Sequence, residues 1–178
     1  MIETILQYDK NFDKSVFLSR IDHIYIMVLS AIMENNLDSV RHYLSDEVSH
    51  KFDSLIESYK QKGYTRLFDE MNIKASDITS VDIDEEKINI TCTIVTRYMD
   101  YIIDSNGNFV SGINDHRIEK TQTVVFSKRL NASELMSARR CPSCGHTLDI
   151  NRSGVCPYCN SIFNAEKYDY IVTQMDLI

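Results

Sequence analysis

The spacing of apolar residues along this chain changes once, at Asn72, and that change limits the folds open to it. Before Asn72 they recur every three or four positions, as one face of a helix requires. After it they recur at every second position, as a half-buried strand requires. From Asp13 to Met33, Phe17, Ile21, Ile24, Val28 and Ile32 form a stripe that Leu18, Tyr25 and Leu29 widen. A long helix with so broad an apolar face must be covered by other elements. Asn35-Asn36 interrupts the pattern and can cap a second helix bearing Leu37, Val40 and Leu44. Ser45-Asp46 starts a third, with Val48, Phe52, Leu55, Ile56 and Tyr59 along it and Gly63 at its end. Tyr64 to Met71, carrying Leu67 and Phe68, reads as a further short turn.

In the alternating half, Ile78–Ile83 and Lys87–Ile103 are strands on either side of the charged turn Asp84-Glu85-Glu86. Asp104-Ser105-Asn106-Gly107 is a hairpin signature with asparagine-glycine at its tip. Phe109-Val110 resumes the extended chain, Gly112 and Asn114-Asp115 suggest a bulge, and Arg117–Lys128 is another strand. Helices followed by an antiparallel meander make an α+β fold, with the long first helix as the natural cover for the sheet. Tyr168–Met175 alternates weakly and reads as a returning strand. The acidic run Asp82–Glu86 lacks the loop glycine and distal glutamate of a calcium loop, so it reads as a solvated turn.

Cys141, Cys144, Cys156 and Cys159 form two CxxC pairs separated by eleven residues. Two residues between cysteines let one tight turn aim both sulfurs at a single point, and two such turns supply four thiolates. A tetrahedral thiolate set suits Zn²⁺, whose filled d-shell imposes no other geometry. Proline follows the first cysteine of each pair, and Gly145 or Asn160 follows the second, where a left-handed residue closes the turn. The motif therefore predicts one structural Zn²⁺ in a small C-terminal ribbon, with no open position for water or substrate. His146 lies outside the knuckle turn and reads as a loop histidine; Cys92, inside the alternating run Ile88-Ile90-Cys92-Ile94, reads as a small core residue. The division predicted is residues 1–135 as an α+β body and 136–178 as the ribbon with a strand-like tail.

Charge bears on partners. The net charge is −7, and residues 1–137 hold 15 Lys+Arg against 22 Asp+Glu, while residues 138–178 hold 4 of each. An acidic body repels phosphate, and the ribbon's Arg139, Arg140, Arg152 and Lys167 are too few to dominate the field, so nucleic acid is a poor partner. Anionic membranes meet the same obstacle, which leaves only peripheral contact. No apolar run reads as long enough to cross a bilayer. The absence of a leader pattern, with the thiolates a zinc site needs, points to the cytoplasm.

Several short segments carry a resemblance: Asn11-Phe12-Asp13-Lys14-Ser15-Val16-Phe17-Leu18, Asn36-Leu37-Asp38-Ser39-Val40-Arg41, Leu44-Ser45-Asp46-Glu47-Val48 and Arg97-Tyr98-Met99-Asp100-Tyr101. With the order of elements, they make residues Asn11 through Lys128 resemble a bacterial Tim-forty-four-like (Tim44-like) domain. That family is named for the import-motor adaptor of the mitochondrial inner membrane, and bacterial relatives share the four-cysteine ribbon. The resemblance implies a cone of helices against a curved antiparallel sheet, as in the nuclear-transport-factor-two-like superfamily, with an apolar pocket between the first helix and the sheet. Relatives use that cone to bind proteins, lipids or hydrophobic ligands, and some are isomerases or dehydratases. This sequence departs from the mitochondrial protein in lacking a long basic amphipathic N-terminal region and in carrying the cysteines.

Three functions follow as expectations. The first is a non-catalytic binding or adaptor module for a protein, lipid or hydrophobic ligand, with Tyr98, Tyr101 and Phe109 as candidate contact residues, since tyrosine offers large area with a polar tip. The second is an enzyme of the isomerase or dehydratase kind, which would need an acid or base facing apolar walls. Asp100, His116, Glu119 and His23 are its candidates, and no spacing among them demands catalysis. The third is a nucleic-acid-binding ribbon. The first accounts best for the closed metal site and the lack of a nucleophile–base motif.

Overall fold

A computed structural model describes residues 1–130, 144–146, 156, 158–159 and 169–177. Three α-helices, α1 (Ile2–Tyr8), α2 (Lys14–Met33) and α3 (Asp46–Lys62), precede β1 (Tyr64–Ile83), β2 (Lys87–Asp104), β3 (Phe109–Arg129) and β4 (Ile171–Met175). The strands lie in sequence order in one sheet, each antiparallel to its neighbour. This is the α+β arrangement of helices on a curved antiparallel sheet.

Local chemistry sets the helix ends. The Asp13 carboxylate accepts from the Val16 N–H at 2.9 Å to cap α2, and the Ser45 hydroxyl accepts from the Val48 N–H at 3.3 Å to cap α3. Gly63, at φ +67°, closes α3 in the left-handed conformation. Between α2 and α3 the expected second helix is absent. Asn36 turns the chain by accepting from the Asp38 N–H, and only a single 3₁₀ turn, Arg41–Tyr43, follows. Leu37, Val40 and Leu44 are nevertheless buried, as their spacing required. Leu44 is extended because it bridges Val172 of β4, and the Ser45 N–H donates to the Val172 carbonyl.

The segment from Tyr64 to Met71 is also not a helical turn. It is the first third of β1, paired from Tyr64↔Asp104 to Asp69↔Met99. Adjacent Leu67 and Phe68 mimic a helical pair, but the outer half of β2 needs a partner strand and Gly63 has already turned the chain. Bulges interrupt β1 between Asp69 and Asn72, where Glu70 takes φ +51°, and again after Ile73 and Ile78. A further offset places Tyr98 opposite Ile118 but Asp100 opposite Ile113, absorbing the Asn114-Asp115 bend. Such bulges bend and twist a sheet locally. Gly112 sits at this offset with φ +106°, and a Cβ there would fall inside contact distance of the Asp100 carbonyl and Tyr101 Cα. The Asp84 carboxylate accepts from the Glu86 and Lys87 N–H groups, and Asp104 from those of Asn106 and Asn108, so both hairpin ends are the turns expected.

One apolar core joins the layers. From α2 come Phe17, Ile21, Ile24, Tyr25, Val28, Leu29 and Ile32, and from the inner sheet face Ile88, Ile90, Cys92, Ile94, Val124 and Phe126. Phe17 meets the edge of Phe126 at 6.0 Å and of Tyr170 at 5.1 Å. By length and composition α2 could span a membrane, which corrects the sequence reading that no run is long enough. Here its apolar face is committed to the sheet. Cys92 is a core residue, with its thiol pushed up to about 12 first by burial and then by the nearby Asp77 and Asp22 carboxylates.

The weakly alternating tail returns as β4, with Val124↔Met175 and Ser127↔Ile171 in register. Tyr170, Ile171, Val172 and Met175 are buried in or against the core, Arg20 of α2 pairs with Asp169, and Lys51 of α3 pairs with Asp176. The cysteine motifs therefore lie in the connection between two neighbouring strands of the body's own sheet. The predicted boundary at residues 135/136 falls outside the described residues.

Candidate functional site

The three aromatic residues singled out in the sequence separate onto two faces. Tyr98 is buried on the inner face, edge-on to Phe68 at 5.4 Å. Tyr101 and Phe109 lie together on the outer face near the β2–β3 hairpin, with ring centroids 6.4 Å apart. The Tyr101 hydroxyl donates to Asp69, which lifts its pKa. Phe109 is 50% exposed and its neighbour Val110 39%. Phe109 and Val110 are thus exposed apolar residues at the hairpin end of β3, whereas Tyr98 is part of the interior.

The acid–base candidates do not converge. Asp100 is held by Arg66 through two hydrogen bonds of 2.8 and 2.7 Å, with both side chains 13% exposed. Burial works against the Arg66 charge, but the Asp100 bonds outweigh it and raise the guanidinium pKa. The same guanidinium lies 5.0 Å over the Phe68 ring. Glu119 pairs with Lys74 at 2.8 Å, and exposed His116 pairs with Asp115 at 2.6 Å. His23, the candidate on α2, is exposed and lies off the buried stripe that Ile21, Ile24 and Tyr25 form. A general acid or base in a dry site needs a partner or substrate within reach, and each of these groups is solvated or locked in an ion pair.

Three of the four predicted metal ligands are described, and they converge. The sulfurs of Cys144, Cys156 and Cys159 lie within 4.8 Å of one another, with Cys144 and Cys156 Sγ 3.6 Å apart. Zinc–sulfur bonds of about 2.3 Å at tetrahedral angles put sulfurs roughly 3.8 Å apart, so the trio fits a metal and is far too open for a disulfide. Cys156 is buried, while Cys144 and Cys159 are exposed. Gly145 takes φ +74°, the left-handed position that closes a knuckle turn. Cys141, the fourth ligand predicted, lies outside the described residues. Exposed His146 stacks on the Tyr158 ring at 4.0 Å, as fits a loop histidine.

A further group was missed by the sequence reading. Asp22 and Tyr25, one turn apart on α2, face the sheet: Asp22 reaches Ser76, and the Tyr25 hydroxyl reaches Thr96 and Tyr98. Among the described residues, both polar atoms of Gln122, which shares a row with Ser76 and Ile94, are buried without a hydrogen-bond partner. Such atoms each cost about 1–3 kcal/mol. The signal was present: Thr96 and Gln122 occupy inward positions of otherwise apolar alternation.

A family model for the Tim44-like domain matches residues 1–137. No curated protein matches the sequence. Among solved structures, the crystal structure of the intermembrane space region of chloroplast protein ARC6 aligns at 8% identity with a TM-score of 0.45, covering 93% of this chain and 96% of that one.

Proposed function

We propose that this chain, which belongs to the Tim44-like domain family, is a non-catalytic adaptor that docks a partner protein on the outer face around Tyr101, Phe109 and Val110. The observation that carries this reading is the half-exposed Phe109 ring beside Tyr101 and the exposed Val110. Aromatic anchors with a polar rim are the groups that contribute most at protein interfaces. The rim here holds Asp69, Arg117 paired with Glu70, and the solvated Asp115 and His116. In a cytoplasmic, reducing setting, Cys141, Cys144, Cys156 and Cys159 hold one Zn²⁺ with a structural role. Three of these sulfurs support that assignment by their mutual distances. The metal supplies cross-linking, and the four sulfurs leave it no reactive position. Affinity capture with the wild-type chain and with Phe109→Asp tests the docking surface: the partner should be retained by the first and lost by the second, with both proteins equally folded. Equal capture by both would remove the hairpin from the account.

A further inference from the structure

The short strand β4 is held along both edges. On one side it pairs with β3. On the other, Leu44 bridges Val172, and the Ser45 N–H donates to the Val172 carbonyl at 2.8 Å. The 3₁₀ turn Arg41–Tyr43 leads directly into those two residues, so the seating of the turn sets theirs. His42 is the middle residue of that turn. Its ring packs on Tyr43 with centroids 3.9 Å apart, and both ring nitrogens are buried without a hydrogen-bond partner. A neutral imidazole has one donor and one acceptor, so the turn already holds two unanswered polar atoms.

We infer that His42 is an acid-sensitive latch on β4: when it takes up a proton it leaves its seat, and the turn releases the strand edge that Leu44 and Ser45 hold. Protonation makes the acceptor nitrogen a second donor and places a full positive charge where no acceptor waits. The surrounding charges add to the cost. On α2, the Arg20 guanidinium opposes a positive ring, and Asp169, just ahead of β4, is bound to Arg20. On the turn itself, Arg41 is taken up by Asp53 of α3 and by Asp38. On α3, Asp46 and Glu47 are exposed, and Lys51 pairs with Asp176 beyond β4. Among the described residues no carboxylate offsets a charge on this ring. Burial first, and Arg20 second, hold the His42 pKa below its ordinary 6.5. The folded chain therefore binds this proton more weakly than the unfolded chain. The latch is fully stable above the ordinary value and weakens as pH falls from there through the lowered folded value. One proton gives a graded response, roughly tenfold in the open population per pH unit within that window. The cysteine motifs lie in the connection from β3 to β4, so acid loosens one anchor of that connection.

The latch does not depend on the adaptor reading, because Phe109 begins β3 and β4 pairs only with its far end. Hydrogen exchange on the full chain, corrected for the intrinsic rate at each pH, tests it through the Ser45 N–H. Between about pH 7.5 and about pH 5.5, protection of that N–H in the wild type should fall about tenfold, while the amides of β2 at the sheet centre change little. His42→Phe keeps a ring against Tyr43 but has no nitrogen to titrate, so it should show no such loss. Protection that acid leaves unchanged in the wild type, or that falls equally in His42→Phe, overturns the latch. Should His42→Phe fail to fold, the wild-type ring decides by its own NMR titration: a midpoint below 6.5 agrees with the latch, and one at or above it overturns it.

Discussion

Asp100 accepts two hydrogen bonds from the Arg66 guanidinium, on neighbouring strands and largely out of water. An aspartate that the sequence offered as an acid–base group is thereby a fixed counter-ion, and Arg66 is brought over the Phe68 ring, which itself packs on Tyr98. The pair links the inner face of the sheet to the strands that carry the exposed hairpin.

Removing one partner of such a pair leaves an uncompensated buried charge. Asp100→Ala should therefore lower stability by about 3–5 kcal/mol in urea denaturation. The double variant Asp100→Ala/Arg66→Met should recover much of that loss. A change within about 0.5 kcal/mol for the single variant, the range of ordinary surface substitutions, would show that the pair is effectively solvated.

Asp22 gives a pH dependence with a defined sign. Burial raises its carboxyl pKa above the ordinary 3.8, so the folded chain binds this proton more tightly than the unfolded chain. The contribution is most favourable below the ordinary value and declines as pH rises from there through the raised folded value, leaving a net cost at neutral pH. Asp22→Asn should be more stable than wild type at pH 7, with that part of the decline removed. Denaturant midpoints across this range check it; a variant less stable at pH 7 would mean that the carboxylate is well solvated.

Gly112 occupies a conformation that other residues avoid, against the backbone of Asp100 and Tyr101. Gly112→Ala should cost about 1–3 kcal/mol from the backbone alone, with the steric clash added. It should also displace Tyr101, so partner capture should weaken more than the stability loss explains. Amide chemical shifts confined to residues near position 112, with capture unchanged, would contradict this.

Metal content and thiol chemistry test the cysteine site together. The purified chain should carry one zinc. After chelation a thiol reagent should modify four cysteines, while Cys92, buried and with its thiol near 12, should react only on unfolding. Hydrogen exchange should show β4 still protected after chelation, because Tyr170, Ile171, Val172 and Met175 are buried by the body itself. The freed connection should cost the body only about 0.6 kcal/mol for each doubling of its effective length. Release of β4 on chelation would show that the metal holds the sheet edge.

The change of period at Asn72 was enough to read α2, α3, both hairpins and the order of layers, because one-sided burial leaves its repeat in the residues. The same logic misplaced Leu37–Leu44 and Tyr64–Met71. In the first, a turn and one 3₁₀ turn bury Leu37 and Val40 before Leu44 extends to bridge β4; in the second, an extended chain pairs Phe68 across to Asp100. Such contacts come from segments distant in sequence, which no local period encodes. The cysteine spacing announced a convergence of sulfurs, and Cys144, Cys156 and Cys159 do converge. Tyr98 and Tyr101, three residues apart on one strand, divide between faces, as odd and even positions must. Thr96 and Gln122 stand out as polar residues at inward positions, but the polar cluster beneath α2 assembles from a helix and several strands, which no local run encodes.

The most direct test of the adaptor account is photo-cross-linking from position 109. A photoreactive phenylalanine analogue replacing Phe109 should give a discrete adduct with a partner protein in native lysate. The same analogue at Thr123, exposed elsewhere on β3, should give none. No adduct from position 109, or the same adduct from both positions, would contradict a docking surface at the hairpin.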